Sequence, residues 1–268
     1  PPRDGAGHRL VVDLKPQGPP SPDEMTQLAA LTPPPPLRKP EARRVVVLDA
    51  GHGGVDPGTI SAGGVYEKEI TLAMAQEMRR RLEASGRYTV LMTRDSDVFL
   101  SLGDRVRIAR EAQADLFISI HADSLGERSH RGGTVYTLSQ TASDKEAEAL
   151  AARENKSDII AGVDFGNQPK EVMSILIDLA QRETMNLSAQ FAQLLSTEMG
   201  KRVAMNRNPH RFAGFRVLSA PDVPSVLVEL GYLSNPQDEA VIRSAAGRGK
   251  FAEALVQAVD RYFATLPH

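Results

Sequence analysis

Val45-Val46-Val47-Leu48-Asp49-Ala50-Gly51-His52-Gly53-Gly54 runs four apolar residues straight into a histidine held among glycines. Val45 to Leu48 is short, β-branched and apolar on both faces, which suits a strand buried on both sides of a sheet. Glycines at 51, 53 and 54 open backbone conformations closed to other residues, so the chain can turn sharply and lift the His52 imidazole out of the strand end. In open α/β sheets, ligands bind at the carboxyl ends of strands. A tight turn whose histidine only fills a hydrogen bond fits this stretch as well as a ligand site does. A phosphate loop fits less well, because no Gly-Lys-Ser/Thr follows the glycines.

The segments around this corner alternate strand and helix patterns. Ile70, Leu72, Ala73, Met78 and Leu82 have helical spacing, and Gly86 marks that helix's end. Tyr88 to Met92 predicts strand two, and a short helix follows Asp104 with Val106, Ile108 and Ala109 on its inner side. Asp115 to His121 is an apolar strand that again ends in histidine. Gly133 to Leu138 and Val223 to Leu230 read as further strands, and a closing helix spans about Gly249 to Phe263. This alternation predicts an α/β fold, a mostly parallel central sheet flanked by helices on both faces.

Two regions depart from the rhythm. Residues 1–14 carry one extended segment, His8 to Leu14, which reads as the last strand of a preceding domain. Residues 15–42 form a Pro-rich linker, with Pro33 to Pro36 in a row. The catalytic domain is placed at 43–268, and within it residues 141–187 look like an added helical segment. Asp144, Glu146, Glu148, Glu154 and Asp158 are interleaved there with Lys145, Arg153 and Lys156 among good helix formers. A second helical pattern starts near Lys170, with Val172, Met173, Leu176, Ile177 and Leu179 apolar, and extends through Leu187, Phe191, Leu194 and Leu195.

The totals limit the chemistry. With 268 residues, 41% hydrophobic, a sizeable core is available. A net charge of −2 asks for neither nucleic acid nor an anionic membrane as partner, and no long apolar span is present. Cysteine is absent, so any metal must be held by His, Asp or Glu. A chain starting at Pro1-Pro2-Arg3 reads as a piece of something longer.

If His52 and His121 end neighbouring strands, a catalytic zinc needs one more protein ligand, and two histidines with a glutamate form an established set. Glu67 follows the same glycine loop and can swing back over His52; complementing the helix N-terminus is the commoner use of such a residue. Glu229 ends an apolar strand, where a carboxylate is costly to bury without a partner. Beside an activated water it can take a proton and pass it to a leaving nitrogen. His8, His130, His210 and His268 read as surface residues, His210 with a place at the cleft.

Asp49-Ala50-Gly51-His52-Gly53-Gly54, Glu67-Lys68, Phe117 to Asp123 and Val226 to Asn235 together resemble the zinc-dependent N-acetylmuramoyl-L-alanine amidases of bacterial cell-division type, over roughly residues 43–265. The resemblance implies that His52, Glu67 and His121 ligate Zn2+ and that Glu229 is the catalytic acid/base. It implies a peptidoglycan substrate, cut at the amide between muramic acid and the first L-alanine of the stem peptide. It further implies a periplasmic location and an N-terminal peptidoglycan-targeting (AMIN-like) domain ending at residue 14. In such proteins a helical insert blocks the site until an activator of the LytM-domain type displaces it, and residues 141–187 fall at the matching place. Glu154, with Glu146 and Glu148 behind it, is the expected blocking carboxylate; a solvated charged face is the inert alternative. Two other readings are a zinc amidohydrolase acting on soluble muropeptides and a catalytically silent wall-binding or regulatory module.

Overall fold

The computed structural model describes residues 43–61, 63–124, 128–160 and 175–266. The expected strand at His8 to Leu14, the linker at 15–42 and the start of the helical pattern near Lys170 lie outside them. Six strands build one sheet: β1 (Arg44–Ala50), β2 (Tyr88–Met92), β3 (Leu116–His121), β4 (Gly133–Leu138), β5 (Met205–Ala213) and β6 (Ser225–Glu229), in the order β2-β1-β3-β6-β4-β5. The α/β expectation holds, with one change of direction. Strands β2, β1, β3 and β6 run parallel, whereas β4 is antiparallel to β6 and carries β5 parallel to itself.

Strand β5 is the one strand of this sheet that pattern reading missed. Its sequence Met205-Asn206-Arg207-Asn208-Pro209-His210-Arg211-Phe212-Ala213 is polar and contains a proline. Both features are tolerated because β5 is the sheet's outer strand, where one row of backbone groups needs no ladder partner.

The described helices are α1 (Glu67–Ala84), α2 (Leu102–Glu111), α3 (Lys145–Glu154), the single turn α4 (Ser157–Ile160), α5 (Ile175–Gly200), α6 (Pro236–Arg243) and α7 (Ala245–Thr265). Their starts follow local chemistry. Ser101 caps α2 by accepting from the Asp104 N–H, Asp144 caps α3 through the Ala147 N–H, and Asn235 caps α6 with Pro236 at its first turn. Residue 187, the expected end of the insert, falls inside α5, which continues to Gly200 and packs Phe191, Ala192, Leu195 and Met199 into the core.

The period of two along each strand sorts the sheet into two faces. Val46, Leu48, Ala50, Ile118, Ile120, Val226 and Val228 meet α1, α5 and α7 in one core. Val47, Phe117, Tyr136 and Leu227 meet α2, α3 and the 3-10 turn Arg216–Leu218 on the other face. At the strand ends the second face changes character, because Asp49, Ser119, His121 and Glu229 continue the same alternation and are all buried. Helix α2 also differs from expectation. Its buried residues are Leu102, Arg105 and Ala109, with Val106 and Ile108 only partly covered. An arginine takes the central inward position because Asp49 waits beneath it, 2.7 Å from its guanidinium.

Candidate metal centre

His52 follows β1 in the left-handed region, with φ of 60°, as do Gly53 and Gly54 after it. Gly51 serves another purpose: a Cβ there would lie 2.4 Å from the His121 ring, so its missing side chain lets the two imidazoles approach. Their ring centroids are 5.0 Å apart. His52 Nδ1 stands 2.8 Å from Asp56 Oδ2, a carboxylate that can only accept; the Nδ1 proton is thereby held and the Nε2 lone pair faces inward. Burial works to raise the Asp56 pKa, but the bond to His52 and the His52 charge bring it down to about 2.

Glu67 opens α1 and is 1% exposed. Its Oε2 accepts from the Thr59 N–H and its Oε1 from the Ala122 N–H, at 2.9 and 2.8 Å, which fixes the carboxylate astride the two histidines. Oε2 lies 3.3 Å from His52 Nε2 and Oε1 lies 3.3 Å from His121 Nδ1. Gly58, with φ of +65°, makes room: a Cβ on it would meet the His52 ring and Glu67 within 3 Å.

Glu154 completes the ring from above. It is the last residue of α3, on the buried stripe Ala147, Leu150, Ala151, Glu154 that docks the helix. Its Oε2 is 3.5 Å from His52 Nε2 and 3.2 Å from His121 Nδ1. The remaining cavity between His52, His121, Glu154, Arg105 and Ser157 is about 10 Å³, the lower limit for one water.

These residues fit a zinc ion. Donors about 2.0–2.1 Å from a tetrahedral centre are separated by about 3.3–3.4 Å, the spacing found here. His52 Nε2 and His121 Nδ1 are buried without a hydrogen-bond partner, as expected of ligand atoms. His52, His121 and Glu154 each place one ligand atom within 4.8 Å of the others. The charge balance agrees. Glu67, Glu154, Asp123 and Glu229 crowd two imidazoles, and a carboxylate at a helix C-terminus, like Glu154, is disfavoured without a nearby cation. Burial acts to lower the His52 pKa, yet Glu67 and Glu154 hold it well above the usual histidine range.

Glu229, fully buried, ends β6 directly beside His121 in the ladder. Its Oε2 accepts from the Asp123 N–H at 3.0 Å, and its Oε1 has no partner. Burial, then the charges of Asp123, Glu67 and Glu154, push its pKa well above the ordinary carboxyl value. The structure thus brings together all five residues that the sequence singled out: His52, Glu67, His121, Glu154 and Glu229. Of the other histidines, His130 faces Glu146 and His210 meets Thr137 Oγ1, both half-buried and outside the ring of ligand atoms.

Pattern reading missed the residues that hold this ring. Asp49 accepts from Thr93, Ser119 and Arg105, and Arg94 donates to the carbonyls of Ala50, Gly51 and Lys68. The insert is tied down by Arg153 to Asp123, Ser157 to Asp56, and Asp158 to the Leu102 N–H at the start of α2. One signal was available, namely Arg105 at an inward helical position between Leu102 and Ala109.

Residues 46–261 match the model of the N-acetylmuramoyl-L-alanine amidase family, and the chain belongs to that family of hydrolases. The N-acetylmuramoyl-L-alanine amidase AmiC of Neisseria meningitidis serogroup B is 39% identical over 99% of this chain and 68% of its own length. AmiA of Escherichia coli K12 is 38% identical over 85% of this chain and 79% of its own. Among solved structures, the catalytic domain of the amidase CwlV from Bacillus (Paenibacillus) polymyxa var. colistinus superposes with a TM-score of 0.59 at 26% identity, covering 83% of this chain and 99% of that one.

Proposed function

We propose that this chain is a zinc-dependent peptidoglycan hydrolase that cleaves the amide between N-acetylmuramic acid and L-alanine of the stem peptide, in the periplasm, for septal wall splitting and daughter-cell separation. The segment 141–187 holds it inactive until an activator of the LytM-domain type lifts α3 away. The observation that carries this reading is Glu154, whose carboxylate oxygen lies 3.2–3.5 Å from the same two imidazole nitrogens that Glu67 approaches at 3.3 Å. No described helix is long and apolar enough to cross a membrane.

In this mechanism His52, Glu67 and His121 would hold the metal, and Glu154 stands over the same two imidazoles, where substrate has to enter. Zinc bound there would supply Lewis acidity towards a carbonyl and a water near neutral pH. Glu229 Oε1 receives the proton from the attacking water and returns it to the departing nitrogen. The Asp123 N–H fixes Oε2, so the free oxygen keeps one orientation towards the reacting atoms.

Hydrolysis of purified sacculi tests the activity. Chelation is expected to abolish it and added zinc to restore it; a chelator-resistant rate would sink the zinc assignment. Glu154→Gln tests the control. A charge-assisted contact is worth about 1.5–3 kcal/mol, so its loss is expected to raise the basal rate about 10- to 100-fold. An unchanged rate would remove Glu154 from the inhibitory role. The point substitution is preferable to deleting 141–187, which would sever α5 at its thirteenth residue.

A further inference from the structure

Arg211 lies on β5, paired across β4 with Tyr136, which in turn faces Leu227 on β6. The pleat puts it on the same face of the sheet as Glu229, two strands further out. It is 7% exposed. Its Nη1 donates to Glu146 Oε2 at 2.7 Å and reaches Asp144 Oδ1 at 3.5 Å; its Nη2 donates to Asn206 Oδ1 at 3.1 Å. Its Nε is buried with no hydrogen-bond partner.

Both carboxylates that neutralise Arg211 come from the insert, at the cap and first turn of α3. Once α3 is lifted, the only acceptor left among these contacts is the neutral amide of Asn206. Lifting α3 removes both carboxylates and uncovers the guanidinium, which can then take another anion in their place. Helix α3 therefore offers two carboxylates to two cationic places, Glu154 to the metal position and Glu146 to Arg211. Along the helix they are eight residues apart, about 12 Å at 1.5 Å per residue. That distance matches three to four residues of extended peptide.

We infer that Arg211 is a substrate-binding residue that takes a free carboxylate of the stem peptide, some 12 Å from the scissile amide, and that Glu146 occupies its place while the insert is closed. The inference rests on the amidase reading and on displacement of the insert. It makes α3 an imitation of the substrate at two points. The planar fork of an arginine suits a carboxylate better than a lysine ammonium does, and its Nε has no partner while the insert is closed.

The test uses the full chain carrying Glu154→Gln, with and without Arg211→Met or Arg211→Lys. Two substrates are compared, a disaccharide tetrapeptide with free stem carboxylates and the same compound with those carboxylates amidated. Arg211→Met is expected to raise KM about tenfold or more for the free acid, with little change in kcat, and to leave the amidated compound unaffected. Arg211→Lys is expected to recover part of the loss. Binding of both compounds to the inactive Glu154→Gln, Glu229→Gln protein is expected to show the same discrimination without turnover. Equal losses on the two compounds, or none on either, overturn the inference. Failure of the underlying reading looks different: with Arg211 intact, the Glu154→Gln protein would cleave neither compound faster than the parent does.

Discussion

Glu229→Gln is expected to lower hydrolysis of peptidoglycan by roughly 10²–10⁴-fold while leaving the fold and the metal content unchanged. The expectation follows from a division of labour at the end of β6. Oε2 is occupied by the Asp123 N–H at 3.0 Å, whereas Oε1 is buried and has no partner. An amide in place of the carboxylate preserves shape and keeps an acceptor for Asp123, but it can neither take a proton from water nor return one. Burial and three neighbouring carboxylates raise the Glu229 pKa well above the ordinary value, so this group holds its proton more readily than a surface glutamate. Such tuning brings a carboxyl closer to the pH at which it must both accept and donate. Glu229 is not one of the proposed ligands His52, Glu67 and His121, and its Oε2 is engaged by the Asp123 N–H, so zinc content measured beside the rate separates the two roles. A Glu229→Gln protein that keeps both its zinc and the parental rate would falsify the acid/base assignment.

Arg105→Met is expected to be the most damaging substitution for stability, costing about 3–5 kcal/mol in denaturant titration near neutral pH. Arg105 is 2% exposed; it donates to Asp49 Oδ1 at 2.7 Å, to Ala50 O at 2.8 Å and to His52 O at 2.8 Å. It thus neutralises Asp49, a carboxylate buried within β1, and holds the carbonyls of Ala50 and His52 at the turn that aims His52. A non-glycine residue at φ of 60° is strained by about 1–3 kcal/mol and persists only where its surroundings hold it. Loosening that turn is expected to weaken zinc binding together with stability.

The pH dependence has a definite sign. Burial acts to raise the Asp49 pKa, but Arg105 and the bonds from Thr93 and Ser119 outweigh it and leave the value below 3.8. In the parent protein this contribution is present above the unfolded value near 3.8 and is lost as the pH falls below it. Without Arg105 burial prevails, the pKa rises, and the penalty grows with pH above the unfolded value. The deficit of Arg105→Met is therefore expected to shrink towards pH 4 and below. Adding Asp49→Asn should recover part of it at neutral pH, because the orphaned charge is gone. A deficit that does not vary with pH would show that packing, and not the ion pair, is what Arg105 provides.

Much of the fold is legible from residue patterns because its central strands are buried on both faces. Val45 to Leu48, Leu116 to Ile120 and Val226 to Val228 have nowhere to be but inside a sheet, and each leads into a polar residue at its carboxyl end. Strand β5 escapes that reading because an edge strand is half in water and can be polar. The direction of β4 escapes it too, since antiparallel pairing depends on where the chain returns from and not on the residues within the strand.

The residues at the site divide in the same way. His52, Glu67, His121 and Glu229 stand at element ends, where the sequence marks them, and Glu154 stands within a run of charges, expected at the site ahead of Glu146 and Glu148. The physical reason for Glu154 comes from the tertiary structure. The buried stripe Ala147, Leu150, Ala151 sets the rotation of α3 on the sheet, and of its three glutamates only Glu154 lies on that stripe. The supporting shell is likewise a product of folding. Asp49 and Arg105 are 56 residues apart, and Glu146 and Arg211 are 65 apart. Spacing along a chain encodes what one helix or strand can present; which charges then meet is decided by packing, since a buried charge is tolerable only where another element brings its partner.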